Sequence, residues 1–392
     1  MPSFDANSQC VENQDIKTAT PNSKIAKVLV LSPSLASVGG IQRYTKTLIR
    51  ALKDELGDQA VRCVTLAEPA SHEGKMTQRL SAGSKLIFGW QALKEATRWQ
   101  PGLIICTHLA LGPIAWALAN VGRTPYWIVA HGIEAWALLS FGRRRALRHA
   151  DRVIVISAFT RDLVAKRHQV DLRRISRLPC VLDDGLLRTE PANSGECAQI
   201  TAERRMVLTV ARMAASERYK GHDVMLRSLP SVLTKTPDLS YVVVGDGDDR
   251  QRLERLADEL GVADHVVFTG GASDSELAAL YHQCEVFALP ARTVIDDYNP
   301  KGEGFGIVFL EAMAFGKPVI GPNSGAPAEL IRHGENGLLV DPEDPSSVAE
   351  ALVNLLTHPE AARKMGKAGR EWVRTQYSYS RFREQVRSLC AS

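Results

Sequence analysis

Two carboxylates stand out in the stretch Gly302-Glu303-Gly304-Phe305-Gly306-Ile307-Val308-Phe309-Leu310-Glu311-Ala312. Their separation of eight residues is about two helical turns, but the three glycines place Glu303 in a loop and start the helix near residue 305. The free amide N–H groups at such a helix start attract phosphate, and Glu303 stands beside them. Glu311, farther along, is placed to accept hydrogen bonds from a diol such as a ribose. A sugar carried on a nucleotide would use both carboxylates. A capping Glu303 and a solvent-facing Glu311 would need neither, and spacing alone leaves both readings open.

Cations with matching chemistry lie upstream. Val210-Ala211-Arg212 ends a strand-length apolar run, and Lys220-Gly221-His222-Asp223 opens a helix. Breaking a sugar–diphosphate bond puts negative charge on the departing oxygen, and Arg212 and Lys220 are the fixed cations that could stabilise it in a dry cleft without a metal. His131 ends the apolar run Val129-Ala130, where its imidazole would face a cleft. Gly39 and Gly40 permit close backbone approach or a positive φ angle. Asp246-Gly247-Asp248 fits a D-x-D metal motif, but it follows a strand and opens a helix, where Asp commonly caps, so no metal site is expected. Arg250 leaves the glycine fingerprint of nicotinamide-binding enzymes incomplete.

These residues are carried by alternating elements. Apolar runs of strand length occur at 27–31, 61–66, 103–107, 126–130 and 153–156, with helical spacing at 41–56, 85–99 and 158–168. Residues 183–204 are polar and aperiodic. Alternation then restarts, with strands at 206–211, 240–244, 265–269, 285–289 and 318–321 and helices near 221–235, 249–260, 274–283, 305–316 and 325–333. The pattern predicts an α/β protein of two doubly wound, Rossmann-like domains facing each other across a cleft. The expected division is a polar mobile tail (1–23), an N-terminal Rossmann-like domain (24–185), a linker (186–204), a C-terminal Rossmann-like domain (205–375) and a last helix (376–392).

The segment from Pro290 to Ile320, with its Gly-Glu-Gly-Phe-Gly core and second Glu, resembles the signature of the retaining glycosyltransferases of family 4, which have the GT-B fold. Further segments that resemble the family follow its order: Val38-Gly39-Gly40, Val129-Ala130-His131-Gly132, Val210-Ala211-Arg212 with Lys220-Gly221-His222-Asp223, and Val243-Val244-Gly245-Asp246-Gly247. The resemblance implies that 24–185 binds the acceptor, that 205–375 binds the nucleotide sugar and that the last helix packs back on the N-terminal domain. It implies that Arg212 and Lys220 hold the donor diphosphate, that His131 and Glu303 contact the donor sugar, and that Glu311 holds the ribose. It implies donor contacts at Gly39, Gly40, Gly245, Phe305, Gly306 and Ile307, no metal or other cofactor, and front-face displacement in which the leaving phosphate helps deprotonate the acceptor. GDP-mannose is the first expectation for the donor and a UDP-hexose the second. The acceptor is expected to be a saccharide or a polyprenyl-diphosphate-linked saccharide. The alternatives are a UDP-hexose transferase with a small soluble acceptor, a phosphorylase on the same fold, and a non-catalytic sugar-binding protein. Two departures from the pattern stand out: Ser324-Gly325-Ala326-Pro327-Ala328-Glu329 replaces the usual Gly-Gly-x-x-Glu, and the loop 291–302 is long. That loop is expected to cover the acceptor or set sugar choice.

Composition agrees with a globular protein: 392 residues, 45% hydrophobic, 23% charged. The net charge of +4 hides an asymmetry, with 26 Lys and Arg against 17 Asp and Glu in residues 1–200. In 141–180 eleven basic residues face three acidic ones. The seven scattered cysteines include no C-x-x-C pair, which points to a reducing compartment. Trp136 to Arg148 sets bulky apolar residues before an arginine cluster, as in an element lying against an anionic lipid surface. A cytoplasmic protein, peripheral on the inner face of the cytoplasmic membrane, is the expectation. Without an aromatic-interleaved basic platform, nucleic acid is not an expected partner. The apolar stretch 103–121 is broken by Thr107, His108, Gly112, Pro113 and Asn120, and reads as strand, loop and helix rather than a membrane span.

Overall fold

The structure, a computed structural model, describes residues 25–36, 39–66, 79–81, 85–182, 184–191 and 204–392. The expected tail (1–23), residues 192–203 of the expected linker, Cys10 and Cys197 lie outside the described residues.

Among the described residues thirteen strands form two sheets, every pair of neighbours parallel. The first sheet contains β1 (Val28–Ser32), β2 (Val61–Thr65), β3 (Arg79–Ser81), β4 (Leu103–Cys106), β5 (Tyr126–Ala130), β6 (Arg152–Val155) and β7 (Ile175–Arg177), in the order β3-β2-β1-β4-β5-β6-β7. The second contains β8 (Arg205–Val210), β9 (Leu239–Val244), β10 (Val266–Gly270), β11 (Val286–Ala288), β12 (Val319–Pro322) and β13 (Gly337–Val340), in the order β10-β9-β8-β11-β12-β13. Strands β1, β4, β5 and β9 are buried along their whole length, as continuous apolar runs covered on both faces must be. The chain reverses its direction of travel across the sheet between β1 and β4 in the first and between β8 and β11 in the second. Loops part at these points and open a crevice at the carboxyl ends.

Helix Gly40–Leu56 covers one face of the first sheet through Tyr44, Leu48, Ile49 and Leu52, which recur at helical spacing. Helices Lys85–Trp99, Gly112–Gly122 and Phe141–His149 lie side by side on the other face. The stretch 103–121 divides into β4, a 3₁₀ turn Leu109–Leu111 and the start of helix Gly112–Gly122, and no helix among the described residues is long and apolar enough to cross a membrane. Cys63, Cys106, Cys180, Cys284 and Cys390 are buried thiols.

One apolar cluster joins the two sheets. It runs from Val28, Tyr44 and Leu48 through Val181 to Leu277, Phe309 and Leu310, and includes Phe382, Val386 and Cys390 of the last helix, Tyr379–Ala391. That helix lies along Gly40–Leu56. Phe382 meets Tyr44 edge-on at 5.8 Å, the Tyr379 hydroxyl donates to Asp54 at 2.6 Å, and Arg383 and Arg387 both reach the half-buried Glu55.

Two differences from the sequence expectation have local causes. The helix expected at 325–333 is a 3₁₀ turn, Ala326–Leu330, because Gly325 holds φ at +81° and the chain must turn again at once to enter β13. Buried Asn336 fixes that second turn, donating to the Leu330 carbonyl while its own oxygen accepts from Arg332 N–H at 2.7 Å. Strands β3, β7 and β13 are not marked in the sequence: Arg79–Ser81 and Ile175–Arg177 each carry one apolar residue and Gly337–Val340 opens on a glycine, so none reads as an apolar run of strand length.

Replacing Phe382 by Ala empties a fully buried site and is expected to cost about 3–5 kcal/mol. The check is a lower urea midpoint, with the amides of 379–391 losing exchange protection before the rest of the chain. An unchanged midpoint would show that this helix does not hold the two sheets together.

Candidate active site

The carboxyl ends of the two sheets face each other, and the loops that leave them touch backbone to backbone. Gly132 follows β5 with φ +152°, and a Cβ there would stand 2.8 Å from the Gly304 Cα. A Cβ on Gly304 would stand 2.3 Å from the His131 carbonyl oxygen. Neither glycine can take a side chain without the loops moving apart.

His131 sits at this contact, 6% exposed. Its Nε2 lies 2.8 Å from the Thr107 carbonyl at the end of β4, which can only accept, so Nε2 carries the proton. Burial holds the imidazole basicity below its usual value, so the ring is neutral near pH 7 and Nδ1 is an acceptor. Its backbone N–H donates to Glu134 at 2.6 Å, and Tyr44 meets the ring edge-on at 5.2 Å.

From the second sheet come the cations. Arg212 follows β8, its side chain largely exposed and paired with Glu217. Its carbonyl accepts from Nε2 of the buried His222 at 3.1 Å, which ties the strand end to the start of helix His222–Leu233. Lys220 ends the 3₁₀ segment Ala215–Lys220, and its ammonium contacts the Glu303 carboxylate, both little exposed. Gly221, next in sequence, has φ +82° and would drive a Cβ to 2.2 Å from the Pro290 carbonyl. Gly245 leaves β9 at φ +143°, pressed against the Ala211 carbonyl at 2.1 Å from where its Cβ would be. Strands β8, β9 and β11 thus deliver their ends to one place.

The helix expected at 305–316 spans Ile307–Ala314, with Gly306 capping it at φ +94°. Phe309 N–H donates to the capping Gly306 carbonyl at 3.0 Å, and the Ile307 and Val308 N–H groups have no acceptor within the helix. Phe305 is buried against Tyr377, with ring centroids 6.0 Å apart, and Ile307 lines a small cavity with Arg43, Tyr44, Thr47, Cys180 and Val181. The side chains of Phe305 and Ile307 therefore serve packing between the sheets, which leaves their backbone for any donor contact. Glu311 is 4% exposed rather than facing solvent. Its Oε1 pairs with Arg43 Nη1 at 2.7 Å and its Oε2 accepts from the Tyr281 hydroxyl at 2.9 Å. Burial pushes its carboxyl above the usual range, and Arg43 acts against that push.

The structure thus brings His131, Lys220, Glu303, Gly245, Gly306 and Glu311 to the facing strand ends. Gly39 and Gly40 differ from the positive-φ expectation: Gly39 is extended at φ 172° and Gly40 starts a helix, with nothing within 4 Å of where its Cβ would stand. Space, not backbone conformation, distinguishes Gly40. In the D-x-D stretch, Asp246 accepts from Gly247 N–H and Asp248 from Ala215 N–H, which holds the loop rather than presenting oxygens together. Among the described residues no group of three His, Cys, Asp or Glu side chains could hold a metal ion.

Sequence reasoning gave no role to Arg43, Tyr281 or Glu329; Arg43 and Glu329 join the two halves, and Tyr281 braces Glu311 from its own half. Arg43, within the Gly-Gly-Ile-Gln-Arg-Tyr segment, reaches Glu311. Tyr281 had no local signal. Glu329, at the departing Gly-Gly-x-x-Glu position, accepts from Ala158 and Phe159 N–H at 2.9 and 2.6 Å, capping helix Ala158–His168 of the opposite sheet. The long loop 291–302 also crosses over: Asp297 pairs with Arg167, and its carbonyl accepts from Leu138 N–H at 2.7 Å.

A model of the family described as Glycosyl transferases group 1 matches residues 198–372, and one described as Glycosyltransferase Family 4 matches 38–185. The GDP-mannose-dependent alpha-(1-6)-phosphatidylinositol monomannoside mannosyltransferase of Mycobacterium tuberculosis is 37% identical over 255 residues, 64% of this chain and 65% of that protein. The enzyme of the same name from Mycolicibacterium smegmatis is 34% identical over 268 residues, 67% of this chain and 68% of that protein. The chain thus spans about two thirds of these relatives. Among solved structures, Anabaena HepE in complex with UDP superposes with a TM-score of 0.76 at 18% identity, over 93% of this chain and 99% of that one. Sucrose-phosphate synthase from Thermosynechococcus elongatus gives 0.73 at 23% identity, over 93% and 98%. At such identities the superpositions speak for the fold alone. With both halves matched in order and two doubly wound sheets facing across one cleft, the chain belongs to glycosyltransferase family 4 and has the GT-B fold.

Proposed function

We propose that the protein transfers a mannosyl residue from GDP-mannose to a lipid-linked saccharide, with retention at the anomeric carbon. The observation that carries the reading is the Lys220–Glu303 contact beside His131 and Gly132 of the opposite sheet: a cation, a carboxylate and a neutral imidazole meet where the two sheets' carboxyl ends close. The mannosyltransferase names of the mycobacterial relatives support the choice of donor and of a glycolipid acceptor.

On this reading the diphosphate exchanges for Glu303 at Lys220, and Arg212 turns from Glu217 to the same phosphates. Freed Glu303 and the His131 Nδ1 lone pair accept from sugar hydroxyls, and Glu311 accepts from the ribose. The bond between the anomeric carbon and the diphosphate oxygen breaks. The acceptor oxygen bonds to that carbon on the same face, and its proton passes to the departing diphosphate. Negative charge grows on the leaving group as the bond lengthens, and Arg212 and Lys220 stabilise it most in the transition state. The reading requires no divalent cation.

The membrane-facing element expected at 136–148 is corrected in part. Trp136 is fully buried, its ring edge-on to Phe159 at 5.3 Å, so it belongs to the core. Leu138 and Phe141 are exposed, the latter at 80%, and Arg143 and Arg145 are exposed beside them. Neighbouring helices add exposed Leu86, Trp90 and Val121. We read this face as the one that rests on an anionic bilayer and brings the cleft to a lipid-borne acceptor.

Turnover is tested by following GDP release from GDP-mannose with and without a phosphatidylinositol mannoside, with UDP-glucose in parallel. Acceptor-dependent GDP release, unchanged by EDTA and reduced about 10²- to 10³-fold in Lys220→Ala, is the expected result. Release from UDP-glucose alone would favour a UDP-hexose transferase instead, and full turnover in Lys220→Ala would overturn the site assignment.

For the membrane face, R143E/R145E is expected to lower co-sedimentation with phosphatidylglycerol vesicles by more than about 10-fold, at about 1 kcal/mol per arginine removed and more for reversal. Binding to neutral phosphatidylcholine vesicles should not change. Equal loss on both vesicle types would argue against an electrostatic contact.

A further inference from the structure

We infer that Arg43 is a positioning residue for the donor's ribose: it reaches from the opposite domain to hold the Glu311 carboxylate in place for the diol, and it does so only in the closed arrangement. This inference rests on the assignment of Glu311 to the ribose.

The geometry is specific. Glu311 lies on helix Ile307–Ala314 under the second sheet's cleft edge, and Arg43 lies on the first full turn of helix Gly40–Leu56 of the first. One carboxylate oxygen takes Arg43 at 2.7 Å and the other takes Tyr281 at 2.9 Å. Tyr281 is itself fixed, fully buried and stacked on Phe315 at 5.3 Å. An ionised carboxylate offers about four lone-pair sites, two on each oxygen. With one on each already used, one on each remains, and a vicinal diol supplies two O–H donors with that spacing.

The electrostatics give Arg43 its importance. The groups acting on Glu311 are Arg43, Tyr281 and Asp274. Burial and Asp274 both favour the protonated acid, and Arg43 is the cation that opposes them. A protonated Glu311 would lose an acceptor and present a donor instead, a poor match to a diol. Because the guanidinium belongs to the opposite domain, opening the cleft withdraws it. Closure thus favours the ionised form of Glu311 by bringing Arg43 against the push of burial, and tight ribose binding comes with it. Tyr281 shares the helix-side wall with Glu311 and cannot supply this coupling.

The test uses the full chain and isothermal titration with GDP and with 2′,3′-dideoxy-GDP, which lacks both hydroxyls. Arg43→Gln is expected to weaken GDP binding about 10- to 100-fold, the range for a hydrogen bond to a charged group. It should leave dideoxy-GDP binding unchanged, and Arg43→Lys should recover part of the loss. Adding Arg43→Gln to Glu311→Gln should cost little more than Glu311→Gln alone. In Arg43→Gln the GDP affinity should fall as pH drops from 8 to 6, since the unpaired buried carboxylate takes up a proton, while the wild type stays flatter over that range. Equal weakening of GDP and dideoxy-GDP would mean that Arg43 grips the phosphates directly and would overturn the inference. Tighter GDP binding in Arg43→Gln would make Arg43 a competitor for Glu311 and would overturn it too. If Glu311→Gln binds GDP as the wild type does, the ribose assignment itself fails. If Glu311→Gln loses the GDP preference and Arg43→Gln keeps it, only the role of Arg43 fails.

Discussion

How closely the two sheets approach is decided by two glycines. At Gly132 and Gly304 the backbones of opposite halves meet with no room for a Cβ on either side. That contact sets the width of the cleft at His131, and it excludes water from the groups around it. Every electrostatic property of the site follows from this approach, because charges at strand ends are weakly screened only when a second wall covers them.

Charges brought this close together pair with one another. Lys220 is satisfied by Glu303 and Arg212 by Glu217, each pair taking the place of a contact that an anionic, hydroxyl-rich ligand could make, while Arg43 holds Glu311. The carboxylates and cations that pair with one another are, on the reading proposed here, also the ones that hold the donor. Ligand binding becomes an exchange of partners rather than the burial of naked charge, which keeps the desolvation cost small.

Closure is held at three further places, each an acidic residue of the second half reaching the first. Glu311 meets Arg43, Asp297 meets Arg167, and Glu329 accepts from two N–H groups at the start of helix Ala158–His168. A carboxylate at a helix N-terminus satisfies orphan donors and the helix dipole together, about 0.5–2 kcal/mol in ordinary cases. The charge asymmetry read from composition, basic in the first half and acidic in the second, is in part this interface. The last helix adds an apolar strap through Phe382 and the Glu55 arginine pair.

The sequence by itself determined the two doubly wound sheets, since buried parallel strands must be apolar runs and their covering helices must carry a stripe at helical spacing. It also marked Glu303, Glu311, Arg212, Lys220 and His131, because charged residues and glycines next to apolar strand ends are a local pattern. Edge strands β3 and β7, with one apolar residue each, and β13, with three, escaped it because none forms an apolar run of strand length. The tertiary structure alone decided that Trp136 is core, that Glu311 is buried, and that Arg43, Tyr281 and Glu329 complete the site. Arg43 and Glu311 are 268 residues apart, as are no two members of a local motif. Their pairing depends on how two separately folded sheets dock, and no short-range pattern of side chains encodes that.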